Sequence, residues 1–263
     1  MLAEIIDTPS VESILDLNNH AVSYLCQGNH SATTTTLRVA IKSLEKCFQQ
    51  EKEPFPARPV AEEPPKKRKR RAGVDTPCVQ KHGECYVPIR SITLSGAASS
   101  DLSASGSLND VTSLVTLYDR AFDFPALGDD EVDFTSQQSK TRLAAILLYN
   151  LGLSYHREGV RLGVSVELKT ALKFYREAYM VLKSAWAKSD FKEVFVLLLA
   201  LLNNMACIHA SLWDTKDTHQ CINWMNRAIA SRQRAILSKE DYTFFSLNLS
   251  VFRGHQLRLA SAA

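Results

Sequence analysis

The chain has 263 residues, 45% of them apolar and 22% charged, enough for one good-sized domain or for two small ones and a linker. The net charge is +3, yet six basic residues sit together at Lys66–Arg71, so the remainder is acidic on balance and offers no broad nucleic-acid-binding surface. The longest apolar run, Val194–Leu202, is nine residues, against the roughly 20 that cross a bilayer, and MLAEIIDTPS lacks the charged and apolar regions of a signal peptide. No membrane partner is expected, and the six Cys read as free thiols in a reducing compartment.

In chain order, Thr8-Pro9 suits an N-cap followed by Pro at the first helical position, and predicts a helix over about 9–27. Gly28-Asn29 breaks it, and a second helix follows over Ala32–Gln50, across the β-branched run Thr33–Thr36. Residues 51–84 then change character. Pro54, Pro56, Pro59, Pro64 and Pro65 alternate with charged residues and almost nothing apolar, which predicts a disordered linker. Inside it stand Lys66, Lys67, Arg68, Lys69, Arg70 and Arg71, an extended basic run that fits the acidic groove of a nuclear import receptor. The alternative reading is a contact to nucleic-acid phosphate, whose affinity would be salt-dependent.

Residues 86–94, 114–124 and 243–252 are rich in β-branched and aromatic residues with alternation, and predict three extended runs that pair into a small antiparallel sheet. Residues 95–110 between the first two revert to Ser, Gly, Ala and Asp. From 135 to 237 the pattern predicts four helices. Thr135–Ser139 opens the first, Ser165 and Ser189 are expected N-caps for the next two, and Asp217-x-x-Gln220 resembles a capping box for the last.

Two of these helices form a hairpin around Leu147–Leu182, and its pattern recurs. Asn150, Gly152, Tyr155, Ala171, Tyr175 and Ala178 are matched upstream by Asn19, Ala21, Tyr24, Ala40, Leu44 and Cys47, and downstream by Asn204, Ala206, His209, Cys221, Met225 and Ala228. The step from Asn to the small residue opening the second helix is 21 residues in two copies and 17 in the third. Small residues at fixed positions mark where paired helices must approach closely, and large ones fill the space beside them.

These residues resemble the tetratricopeptide repeat (TPR) family, whose motif places a large residue, L-G, then an aromatic, with Ala, aromatic and Ala on the second helix. Tyr149-Asn150-Leu151-Gly152, Tyr155, Gly159, Ala171, Tyr175 and Ala178 carry the likeness, although the loops are longer than the family's and its closing Pro is absent. The resemblance implies a stack of helical hairpins with a groove for a protein or peptide partner. In the TPR subclass that clamps a partner's C-terminal carboxylate, Asn at this position is a binding residue, but that clamp also needs basic residues where Ala200 and Asn204 stand. Asn19, Asn150 and Asn204 are therefore expected to bridge helices by hydrogen bonds.

Catalytic and metal chemistry finds little support. Cys78-x3-His82-x2-Cys85 offers three zinc ligands with no fourth nearby, and Cys207, His209, His219 and Cys221 fall on repeat positions where Cys serves as a small core residue. No phosphate loop, nucleophile elbow or dinucleotide fingerprint is present. The sequence thus reads as a mainly α protein of TPR-like hairpins with a small antiparallel β element. It divides into an N-terminal hairpin over 1–50, a linker with one short strand over 51–112, and a repeat domain with flanking strands over 113–263. The expected role is a noncatalytic protein–protein interaction scaffold without cofactor or metal, in the nucleus or alternatively the cytoplasm.

Overall fold

A computed structural model describes residues 10–50, 89–94, 116–124, 136–186, 192–231 and 237–261. The basic run Lys66–Arg71, the Cys78/His82/Cys85 group and Ser189 lie outside them. The described residues form seven helices and two strands: α1 Val11–Cys26, α2 His30–Gln50, β1 Arg90–Thr93, β2 Arg120–Asp123, α3 Gln137–Leu162, α4 Ser165–Trp186, α5 Lys192–Ser211, α6 Thr215–Ser231 and α7 Lys239–Ser261. The architecture is mainly α with one small antiparallel sheet.

Local side-chain chemistry sets the starts of α1, α3 and α6. Ser10, rather than Thr8, caps α1 by accepting from the Ser13 N–H. Ser136 does the same for α3 through Ser139. The cap of α6 is Asp214, whose Oδ1 accepts from the Asp217 N–H at 3.1 Å, so Asp217 sits inside the first turn instead of opening a capping box. Three tight turns join α1 to α2, α3 to α4 and α5 to α6. Each contains one residue at positive φ: Gly28, Gly163 and Trp213. The first two suit glycine, which meets no Cβ penalty there, whereas Trp213 adopts φ 59° with its side chain 78% exposed.

The hairpins pack in sequence order, with α2 lying on α3 and α4 on α5. Polar bridges fix the first of these contacts: His30 Nδ1 lies 2.8 Å from Ser154 Oγ, and Arg38 donates to Tyr155 Oη at 2.7 Å. At the second, the Tyr179 and Trp224 rings stack across α4 and α6. Small residues stand where helices approach most closely. Ala21, Ala40, Ala171, Ala178 and Ala206 are all completely buried. At Gly152 even a Cβ would meet the Tyr175 ring at 2.8 Å, so the glycine in α3 and the aromatic in α4 are one packing decision. Helix α5 holds a stretch, Val194–Ser211, long and apolar enough by composition to cross a membrane, yet 83% of it is buried inside the protein. It is a core helix.

One expected strand is a helix. Residues 243–252 belong to α7, where Asp241, Phe245, Asn248, Leu249 and Phe252 are buried. Those positions follow the helical period, while the alternation Phe245, Leu247, Leu249, Val251 that suggested a strand leaves Leu247 61% exposed. The other two runs do pair. β1 and β2 are antiparallel, with Arg90 opposite Asp123 and Ile92 opposite Ala121.

Candidate functional site

Residues 116–124 run extended across the first helices of the hairpins and α7, and what holds them there is a row of asparagines. Asn19 of α1 donates through Nδ2 to Phe124 O at 2.7 Å and accepts through Oδ1 from Phe124 N at 3.0 Å. Asn150 of α3 treats Phe122 in the same way, at 2.7 and 3.0 Å. Asn204 of α5 grips Tyr118 at 3.3 and 2.9 Å, and Asn248 of α7 grips Thr116 at 2.7 and 3.3 Å. Between them, the Tyr149 hydroxyl donates to Arg120 O at 3.1 Å.

The chemistry follows from the amide group. An Asn side chain carries one carbonyl and one NH2 in a plane, the same donor and acceptor pair that a neighbouring strand would offer. Every second residue of the segment turns its N–H and C=O toward the helices, because the strand period is two. The intervening residues face β1, with Leu94 N donating to Asp119 O. The helices thereby replace one neighbouring strand of a sheet, and they do so without reading side chains.

Side chains add a second layer. Tyr118, Ala121, Phe122 and Phe124 are buried, with the Phe122 ring edge-on to Tyr149 and Tyr118 stacked on Phe245. The charged residues of the segment are all paired: Asp119 with Arg157, Asp123 with Arg90, and Arg120 with Asp241. Burial pushes the Tyr149 and Tyr175 hydroxyls well above their ordinary range, so both remain protonated donors and acceptors. Asn18 and Asn203 extend the amide network. Asn18 Oδ1 accepts from Asn150, and Asn203 donates to Thr116 O.

This arrangement brings Asn19, Asn150 and Asn204 to one face at the shared spacing, and adds to their expected role: each holds the backbone of residues 118–124, while Asn150 also bridges to α1 through Asn18 and Asn204 to α3 and α4 through the Tyr149 and Tyr175 hydroxyls. Asn248 has no counterpart in the repeat spacing and lies in the alternating run 243–252, so only the helical course of α7 shows its place in the row. Of the other repeat positions, the one shared by Leu44, Tyr175 and Met225 is buried in all three hairpins, whereas the one shared by Tyr24, Tyr155 and His209 runs from 37% exposed in α1 through half-buried in α3 to buried in α5. Cys221 is buried and Ala228 half-buried. Burial pushes the Cys207 and Cys221 thiols up to about 12, which keeps them protonated.

Two further features are chemically distinct. His209, Asp214 and Asp217 have ligand atoms within 4.8 Å of one another. A cation is already present, because the Arg176 guanidinium lies 3.1 Å from Asp217 and 3.4 Å from His209 Nε2, so the group is an ion-paired junction between α4 and the α5–α6 turn. The second feature is a cleft of about 900 Å3 between α2 and α4, floored by Ala144, Leu148 and Leu151 of α3. No family model matches the chain, and neither a curated protein nor a solved structure matches it significantly.

Proposed function

We propose that the protein is a noncatalytic protein–protein interaction scaffold built from TPR-like helical hairpins, acting in the nucleus. The observation that carries this reading is the asparagine row, since one repeat position on α1, α3 and α5 supplies the donor and acceptor pair that captures extended polypeptide. That surface is taken up by the chain's own residues 116–124, which leaves the outer side of the stack for partners. Supporting the TPR-like arrangement are the sequential packing of three hairpins and the match of Gly152 to Tyr175. Nuclear action rests on Lys66–Arg71.

Affinity purification of the full chain from native cells tests the reading. Protein partners that persist after nuclease treatment are the expected result. Recovery of nucleic acid alone, falling steeply as salt is raised, would replace it with the alternative of a regulator that contacts phosphate through the basic run.

A further inference from the structure

We infer that the cleft between α2 and α4 is the docking site for an amphipathic helix with acidic flanks, an assignment that rests on the scaffold reading and names its partner's chemistry. The floor and walls are apolar, with Leu148 and Leu151 below and Ile41, Phe48, Phe174 and Met180 beside them. Met180 is 64% exposed, which is unusual for so large an apolar side chain beside other apolar groups.

The secondary structure of the occupant follows from what the cleft lacks. Its walls are helices whose own backbones are already hydrogen-bonded, and no amide or hydroxyl side chain lines it. An extended segment lying there would leave its N–H and C=O groups unpaired, whereas a helix brings them already satisfied. The inner face solves the opposite problem, with asparagines, and holds an extended strand. The lining from Arg38 to Phe48 spans about 15 Å at 1.5 Å per residue, or roughly three turns of a docked helix, enough for anchors at i, i+3 or i+4, and i+7.

The charge of the occupant follows from the rim. Arg176 is paired with Asp217 and Lys173 with Glu177, which leaves Arg38 and Lys42 against Glu45, so the cleft is bordered by a net positive charge, carried on the α2 side, on a chain that is acidic outside its basic run. Acidic residues flanking the apolar stripe of the docked helix complement that rim and speed its encounter.

The test uses the full chain and two fluorescent 18-residue helical peptides, read by anisotropy. One carries Leu along one face and Glu on both flanks, and in the other every Glu is Lys. The acidic peptide is expected to bind at least tenfold tighter than the basic one, with the difference shrinking as salt rises. Met180→Glu should weaken it tenfold or more without changing the chain's thermal unfolding, and Lys42→Glu with Lys173→Glu should invert the preference. Equal binding of both peptides, no binding of either, or binding unaffected by Met180→Glu would overturn the inference, as would a dimer in sedimentation that buries Met180. Cellular partners whose recovery survives Met180→Glu would also overturn the cleft assignment while leaving the scaffold reading standing.

Discussion

Asn150 Oδ1 accepts from the Phe122 N–H at 3.0 Å while its Nδ2 donates to the Phe122 carbonyl at 2.7 Å, with both residues almost wholly buried. One side chain on a helix therefore satisfies both polar groups of one residue in the extended segment. Asn150→Ala strands the Phe122 N–H and the Asn18 Oδ1, while the Phe122 carbonyl keeps the Asn18 Nδ2 at 3.1 Å. Each buried group left without a partner costs roughly 1–3 kcal/mol, so urea unfolding should show a loss of that order or about twice it. Asn150→Asp should also destabilise, since a carboxylate cannot donate to the Phe122 carbonyl. Asn19→Ala should cost less, because its site is only half-buried. Hydrogen exchange at the Phe122 amide checks the mechanism: protection should fall there before it falls in α3.

The Gly152–Tyr175 contact sets a second expectation. Tyr175→Ala removes a completely buried ring and should cost about 3–5 kcal/mol, whereas Tyr155→Ala, half-buried, should cost clearly less. Gly152→Ala forces a methyl to 2.8 Å from the Tyr175 ring and should cost about 1–3 kcal/mol. Combining Gly152→Ala with Tyr175→Leu should recover part of that loss, since the two positions share one space. Thermal melts of the four variants decide the order.

Trp213 gives a prediction of the opposite sign. It occupies a left-handed backbone conformation that glycine fills in the other two hairpin turns, and its side chain is mostly in solvent. Trp213→Gly relieves that strain and gives up little packing. The gain is reduced by glycine's greater freedom in the unfolded chain, leaving a net stabilisation of about 0.5–1 kcal/mol. An unchanged or lower melting temperature would mean that the indole makes a contact worth more than the strain.

His156 makes stability depend on pH. Burial lowers its pKa from 6.5 to about 3, so the folded protein keeps the imidazole neutral where the unfolded chain protonates it. Above pH 6.5 both states are neutral and the group contributes no slope. As pH falls from 6.5 toward 3, the unfolded state binds the extra proton and stability declines by up to about 1.4 kcal/mol per pH unit. Burial shifts His209 in the same direction and adds to the decline. Denaturant titrations at pH 7, 6, 5 and 4 should show this slope, and His156→Gln should flatten it.

The location prediction concerns the basic run. Replacing Lys66–Arg71 with Ala in a fluorescent fusion should move the signal from nucleus to cytoplasm. An undiminished nuclear signal would remove the import reading.

Local chemistry made much of the molecule legible in the sequence. The helix boundaries near Gly28 and Ser136 follow from cap and turn residues whose preferences are set within a few bonds, and the small residues Ala40, Ala171 and Ala206 announce close helix contacts because nothing larger fits. The shared position of Asn19, Asn150 and Asn204 was visible as spacing. Their partner was not, because a residue's hydrogen bonds depend on which distant backbone arrives beside it: Phe122 is 28 residues from Asn150 and 104 from Asn18. The same holds for residues 243–252, where alternation and helical period coexist in ten residues. There the tertiary structure decided, because only a helix directs Phe245 and Phe252 into the core while bringing Asn248 to Thr116, at the end of the extended segment.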